Sequence, residues 1–416
     1  MHRRPLLQRL DPPSVAVFRV HDLGGMLCAV PALRALRAAL PRAHVALIGR
    51  PEAQQFAQRF SNYVDEFIAF PGHPLLPGHP ARHDAFDAFD AFNAFCARMR
   101  ARRFALTLQL HGDGDAANDV VGAFGAHAMA GFCHGAAVVR DRTVLFPCPD
   151  TGAEPERLLW LMDRLGAPPT GTHLEFPLSQ RDEDAWRDSG LDAALVSGNY
   201  ICIHPGMRVH DVSLPASPLT APLRAPLTAP FAAPGTTPLS APDAASSDIR
   251  SSTRSGARFD ERFAALFADV GDRLADEFGL QVVLTGDAHD AHPSTRPGAE
   301  RNAHLTAAVA ARMRHVPLDA GGLVSLGALA VLLRGARLLL CGDTDVSHIA
   351  AGLGLDSVAL FSNADIARWA PHDRHRHRCL WDPAAERAHV VLHHARALLS
   401  GTVPSRQRSV GMWPYW

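Results

Sequence analysis

Short apolar runs rich in Val, Ile and Leu alternate along this chain with stretches whose apolar residues recur at three- and four-residue intervals. In the first half the runs are VAVFRV (15–20), HVALIG (44–49), EFIAF (66–70) and FALTLQL (104–110), each the length of a strand. Between the first two, residues 29–40 place Val30, Leu33, Leu36 and Leu40 on one helical face and keep Arg34 and Arg37 off it. In the second half YICIHPG (200–206), LQVVLTG (280–286), RLLLCG (337–342) and DSVALFS (356–362) repeat the strand pattern. Helices near 259–278, 300–314 and 325–335 separate them. The alternation predicts an α/β protein with largely parallel sheets, built as two nucleotide-binding-type units. The helix EPERLLWLMDRLG and a Pro/Gly-rich link join them between 150 and 195, dividing the chain into domains at 1–185 and 186–400 and a tail at 401–416.

Two segments break this rhythm. DAFDAFDAFNAF (84–95) is a triplet repeat that still suits a helix, because Phe at every third place covers a broad face. The stretch 213–256 carries proline at nearly every fourth place, which holds neither a helix nor a central strand. It predicts a disordered insert at 209–256.

Composition narrows the chemistry. The 416 residues, 47 % of them hydrophobic, suffice for two cores, and a net charge of −1 gives no global field for nucleic acid. All basic residues other than histidine are arginine, which excludes a Walker lysine and a Schiff-base lysine. Phosphates must then be met by arginine, histidine, hydroxyls and backbone N–H groups. The seven cysteines are scattered without a CxxC pair, so buried thiols in a reducing compartment are expected. The N-terminus lacks the apolar core of a signal peptide, and the run LGALAVLLRGARLLL is cut by Arg334 and Arg337. A soluble, cytoplasmic protein is expected.

Three strand ends carry suggestive loops: RVHDLGGM after the first strand, IHPGMR after residue 203, and LLLCGDTDVSHIAAGLG from 338 onward. A helix starting at Asp343, Thr344 or Asp345 directs free N–H groups and a positive dipole end at the crevice beyond the strands, an anion site suited to a diphosphate. Ser347 and His348 in its first turn add donors. Simple N-capping by Asp343 or Thr344 uses the same groups, so both readings stand.

These blocks together resemble glycosyltransferase family 9, the ADP-heptose:lipopolysaccharide heptosyltransferases. FRVHDLGGMLCAVPALRALRAALP is similar to the family's opening, ICIHPGMR to its "hPG" strand, and RFDERFAALFADVGDRL to its basic helix. VVLTG and the long run AGGLVSLGALAVLLRGARLLLCGDTDVSHIAAGLGLDSVALFSNADIARWAP are similar to its C-terminal signature. The resemblance implies a GT-B fold, two Rossmann-like domains facing each other across a cleft. It implies inverting, metal-independent transfer of a sugar, heptose by default, from a nucleotide-diphosphate donor to a lipopolysaccharide-type or other glycan acceptor. No cofactor is implied beyond that nucleotide sugar as co-substrate, and peripheral contact with the inner membrane is compatible with such an acceptor.

On this resemblance the N-terminal domain takes the acceptor and the C-terminal domain the donor. The N–H groups of Thr344, Asp345 and Val346 hold the diphosphate beside Asp343, Ser347 and His348. Arg208 and Arg258 neutralise the leaving group, Thr285 and Gly286 line the nucleoside pocket, and Glu300 accepts from ribose or base. The chain departs from the family at two places. The catalytic acid that follows the first-loop glycine is replaced by Gly25, leaving Asp22 as candidate base or as a helix cap. The glycine of the third loop is replaced by Asp345. LQLHGDGDAANDV adds His111 as an acceptor contact and Asp113 as a second candidate acid, unless the loop is turn chemistry alone. An alternative is a nucleotide-sugar-binding member with weakened or lost transfer, serving as a regulatory or assembly subunit. RWAPHDRHRHRCLW (368–381) predicts an exposed arginine/histidine rim rather than a metal site.

Overall fold

The computed structural model describes residues 4–10, 14–73, 76, 85–112, 114–206, 248–286, 299–322, 325–361, 366–381 and 387–401. The first unit runs β1 (Ser14–Phe18), α1 (Leu23–Leu27), α2 (Val30–Ala39), β2 (His44–Gly49), α3 (Gln54–Arg59), β3 (Glu66–Ala69), α4 (Ala85–Arg102), β4 (Leu106–Gln109), α5 (Asp115–Gly122) and β5 (Ala128–Cys133). It continues through β6 (Val138–Val139), β7 (Thr143–Pro147), α6 (Glu154–Leu165) and α7 (Gln180–Asp188). The second unit holds β8 (Tyr200–His204), α8 (Asp248–Phe278), β9 (Gln281–Leu284), α9 (Ala299–Ala310), β10 (Leu318–Asp319), α10 (Leu326–Gly335) and β11 (Leu339–Gly342). It ends with α11 (Val346–Leu353), β12 (Ser357–Phe361), α12 (Ile366–Trp369), β13 (His377–Trp381) and α13 (Ala388–Leu399).

Among the described residues the first sheet has the order β3-β2-β1-β4-β5-β7-β6 and the second β10-β9-β8-β11-β12-β13. Apart from the antiparallel β6–β7 pair, neighbouring strands are parallel. Each order reverses once, between β1 and β4 and between β8 and β11. At such a reversal the helices leave to opposite faces and open a crevice beyond the strand ends. The expected pair of Rossmann-like domains is therefore observed, with the two crevices turned toward each other.

Local chemistry accounts for the elements that frame the crevices. The helix α2 carries Pro31 in its first turn, where no N–H partner is lost, and buries Val30, Leu33 and Leu36. At the start of α6 the Glu156 carboxylate accepts from the Ala153 N–H at 2.9 Å, and Gly166 closes the helix in the left-handed region at φ 94°. One core runs without interruption from Leu33 and Leu161 of the first unit to Leu329 and Ile349 of the second. The triplet repeat is the helix α4 as expected, with Phe92 and Phe95 buried and Phe89 exposed. The expected domain boundary at 185/186 falls inside α7, which packs on α10 while its Asp182 pairs with Arg59 of the first unit.

Three expectations need correction or completion. Residues 209–247 of the expected insert lie outside the described residues, but α8 begins at Asp248 rather than near 259. The Ser/Gly-rich DIRSSTRSG is a poor helix former alone, yet extending an amphipathic helix is far easier than nucleating one. The strands β5, β7 and β13 are not among the expected ones; AMAGFC and HRCLW hold no β-branched residue, and parallel neighbours hold them extended. His377, expected on an exposed rim, is instead a buried strand residue hydrogen-bonded to Ser357 Oγ at 2.9 Å, with its imidazole pushed down to about 4 by burial.

Candidate functional site

The end of β1 builds the first half of the site. Arg19 is fully buried, and a buried guanidinium must be paired and saturated with acceptors. Its Nε donates to Gly25 O at 2.8 Å, an Nη donates to Leu110 O beyond β4, and both Nη atoms reach Glu154 Oε1 at 3.2 Å. One side chain thus ties the first loop, the neighbouring strand end and α6 together. The second Glu154 oxygen accepts from Arg368 Nε of the other unit at 2.8 Å. Burial alone would raise the Glu154 carboxyl, but Arg19 and Arg368 overcome it and hold it below the usual range.

The loop itself is shaped around His21. A Cβ on Gly25 would lie 2.7 Å from His21 Cβ and 2.8 Å from its Cγ, so any side chain at 25 requires the imidazole to move. The His21 ring packs on His111 at 4.7 Å between centroids and on Trp369 of α12 at 5.6 Å. Among the described residues, His21 Nε2 and His111 Nδ1 are buried without a hydrogen-bond partner. Burial first, then Arg19, His111, Arg368 and Arg50, hold the His21 imidazole well below its ordinary value. Burial and the charges of Arg19 and Arg50 push His111 down to about 4. Asp22, the expected candidate base, caps α1 by accepting the Gly25 N–H at 3.0 Å.

The second half is made of backbone and small side chains. Behind β8 and β9, His204 Nδ1 and Thr285 Oγ1 are 3.0 Å apart and both residues are buried, with Gly206 and Gly286 next to them. The loop from β11 into α11 buries Asp343, Thr344, Ser347 and His348. Ser347 Oγ donates to Thr344 O at 2.9 Å, whereas the Thr344 hydroxyl has no partner among the described residues. Asp345 extends across the crevice, where its Oδ1 accepts the Gly24 N–H at 3.0 Å. Beside it His348 Nδ1 lies 3.8 Å from Cys28 Sγ. The carboxylate that replaces a glycine in the third loop is therefore bound to the first loop.

The structure brings Asp22, His111, Thr285, Gly286, Asp343, Thr344, Asp345, Val346, Ser347 and His348 to the two facing crevices. Asp113 and Arg208 lie outside the described residues; Arg258 lies in α8 and Glu300 in α9, with side chains outside that description. Reading the sequence for motifs missed Arg19, His21, Glu154 and Trp369 and placed Arg368 on a rim. A signal existed for two of them: Arg19 and His21 stand directly after a buried strand, where neither type belongs without a partner. Nothing local marks Glu154, whose partners lie 135 and 214 positions away. Among the described residues no three His, Cys, Asp or Glu come together as metal ligands, and no helix is long and apolar enough to cross a membrane.

Residues 255–394 match the family model described as glycosyltransferase family 9 (heptosyltransferase). Solved structures share the fold along nearly the whole chain. A glycosyltransferase family 9 protein from Veillonella parvula aligns with TM-score 0.66 and 16 % identity, covering 94 % of this chain and 98 % of its own. The ADP-heptose LPS heptosyltransferase II of E. coli aligns with TM-score 0.56 and 16 % identity over 94 % and 99 %. The E. coli heptosyltransferase WaaC, solved with ADP, aligns with TM-score 0.55 and 14 % identity over 94 % and 100 %. No curated protein matches the chain. The GT-B architecture expected from the sequence is upheld.

Proposed function

From the match of residues 255–394 to the glycosyltransferase family 9 model we propose that the protein is an inverting, metal-independent glycosyltransferase. The donor is a nucleoside-diphosphate sugar, ADP-heptose by default, and the acceptor a lipopolysaccharide-type glycan met at the cytoplasmic face of the inner membrane. What carries the reading is the seam between the crevices, where the start of α11 meets the first loop through the Asp345–Gly24 hydrogen bond. A diphosphate at α11 is then next to the loop that receives the acceptor. The unpartnered Thr344 hydroxyl and the first N–H groups of α11 bind the diphosphate, assisted by His348. Thr285 and Gly286 border the nucleoside, and Arg258 and Arg208 supply positive charge as the sugar–phosphate bond breaks. In a single displacement the acceptor oxygen attacks the anomeric carbon from the face opposite the leaving diphosphate, so its configuration inverts.

The test is turnover of ADP-heptose with a heptose-deficient lipopolysaccharide core, followed by ADP release and by NMR of the new linkage. Transfer with inverted configuration, undiminished by EDTA, is expected. A second reading, a nucleotide-sugar-binding subunit without transfer, has one observation in its favour: Gly25 offers no acid and Asp22 is engaged in capping. ADP binding with no turnover of any nucleotide sugar would establish it.

A further inference from the structure

Resting on the transferase reading above, we propose that His21 is the general base of this enzyme, with its Nε2 taking the proton of the acceptor hydroxyl and His111 supporting the ring. The inference begins with space. His21 fills the volume into which a side chain at position 25 would project, since a Cβ there would sit 2.7–3.0 Å from its Cβ, Cγ and Nδ1. The imidazole therefore stands where an acid on Gly25 would have stood, at the same strand end and facing the same crevice.

The second observation is an unmet acceptor. His21 Nε2 is buried with no hydrogen-bond partner among the described residues, as is Nδ1 of the adjoining His111. An unsatisfied buried nitrogen is costly, and a ligand hydroxyl donating to it would recover that cost. The ring is held from three sides. His111 packs on it from the end of β4, Trp369 covers it from α12, and Arg19 anchors the loop that carries it.

The third is charge. The charged groups near His21 are Arg19 of its own loop, Arg50 after β2, His111 after β4, and Arg368 on α12, with Glu154 pairing two of the arginines. Burial first, and these cations with it, hold the imidazole neutral, the form a base requires. A bound diphosphate offsets them and raises its basicity when the donor is in place. The step balances: the acceptor O–H bond breaks, its oxygen bonds to the anomeric carbon, the sugar–phosphate bond breaks, and the diphosphate leaves with the electron pair. The proton on His21 returns to solvent after product release.

The experiment compares wild type, His21→Gln and the double variant His21→Ala/Gly25→Asp, with ADP-heptose as donor and ADP as binding probe. His21→Gln is expected to lose about 10²–10⁴-fold in kcat, the usual contribution of a positioned base, while ADP affinity stays within about threefold. The double variant, with space cleared for a carboxylate, is expected to regain at least tenfold over His21→Ala. Exogenous imidazole should also restore part of the activity of His21→Ala. Retention of kcat by His21→Gln overturns the base assignment and leaves the transferase reading intact; so does a loss matched by an equal loss of ADP affinity. Wild type that binds ADP but neither transfers nor hydrolyses the sugar overturns both. Circular dichroism of each variant reports whether the fold has survived.

Discussion

The two crevices sit at equivalent reversals of two similar sheets, yet they are furnished in opposite ways. The β1/β4 crevice is lined by large ionisable side chains that satisfy one another over long sequence distances, Arg19 with Glu154 and Glu154 with Arg368. The β8/β11 crevice is furnished chiefly by one short loop, where backbone N–H groups and the hydroxyls of Thr344 and Ser347 lie beside Asp343, Asp345 and His348, with the His204–Thr285 pair behind it. A ligand-free protein can leave backbone donors facing solvent with little penalty, but not a buried guanidinium. The β8/β11 crevice thus offers free donors to a ligand, and the β1/β4 crevice carries its own counter-charges.

The largest test of that contrast is Glu154→Gln, which leaves Arg19 buried and Arg368 without their shared carboxylate. Breaking a buried ion pair from one side typically costs about 3–5 kcal/mol. Urea denaturation at pH 7 should show a loss of that order, whereas Thr285→Val on the opposite side should cost about 1 kcal/mol. Equal losses would erase the distinction between the crevices.

Acid should weaken both units through buried histidines, His21 and His111 in the first and His377 in the second. His111 in the first and His377 in the second are held neutral, both pushed down to about 4, while an unfolded histidine takes a proton near about 6.5. Their contribution is therefore complete above the unfolded value and declines as pH falls toward the folded one, by about 2 kcal/mol each at pH 5. Glu154, whose carboxyl is depressed, acts in the same direction over a lower window: its contribution is complete above the ordinary glutamate range and is lost only as pH falls below it. Unfolding free energies at pH 7.5 and 5 should consequently differ by several kcal/mol. His377→Gln should remove about 2 kcal/mol of the difference, and an unchanged slope would sink the assignment.

On the donor side, Thr344→Val should weaken ADP binding about tenfold, one charge-assisted hydrogen bond's worth, without lowering stability. The hydroxyl has no protein partner to lose. Calorimetric titration checks the first part and thermal melting the second.

The same contrast explains what could be read from the sequence. The donor crevice is continuous text: GDTDVSH carries a strand end, a turn and a helix start in seven residues, and the family model matches this half. The strands VAVFRV, HVALIG and YICIHPG were equally plain, because a parallel strand buried on both faces is written as an apolar run. Glu154 was not legible as a functional residue, since in sequence it is an ordinary acid in the first turn of a helix. His21 was passed over for Asp22, the acid beside it. The packing of His21 depends on Gly25 and on a tryptophan nearly 350 positions away. HRCLW became an exposed rim because its charge spoke louder than its neighbours β12 and Ser357.

Asp345 is where the two styles of construction meet, and substituting it gives the smallest and most informative effect. Its carboxylate stands at the start of α11, where a diphosphate is expected, but it is bound to the Gly24 N–H of the other unit. In the closed seam that hydrogen bond contributes about 1 kcal/mol to keeping the domains together. A donor bringing two negative phosphates must either displace the carboxylate or bind beside it against repulsion. Asp345→Gly removes the bond and the charge together. The variant should bind ADP up to about tenfold more tightly, and its small-angle scattering should show a larger radius of gyration without nucleotide. Asp345→Asn retains an acceptor for Gly24 and loses only the charge, so it should tighten ADP binding without loosening the seam. If both variants instead bind ADP more weakly, the carboxylate contacts the ligand favourably, through the ribose or a bound cation, and is part of the donor site rather than a bond between the domains.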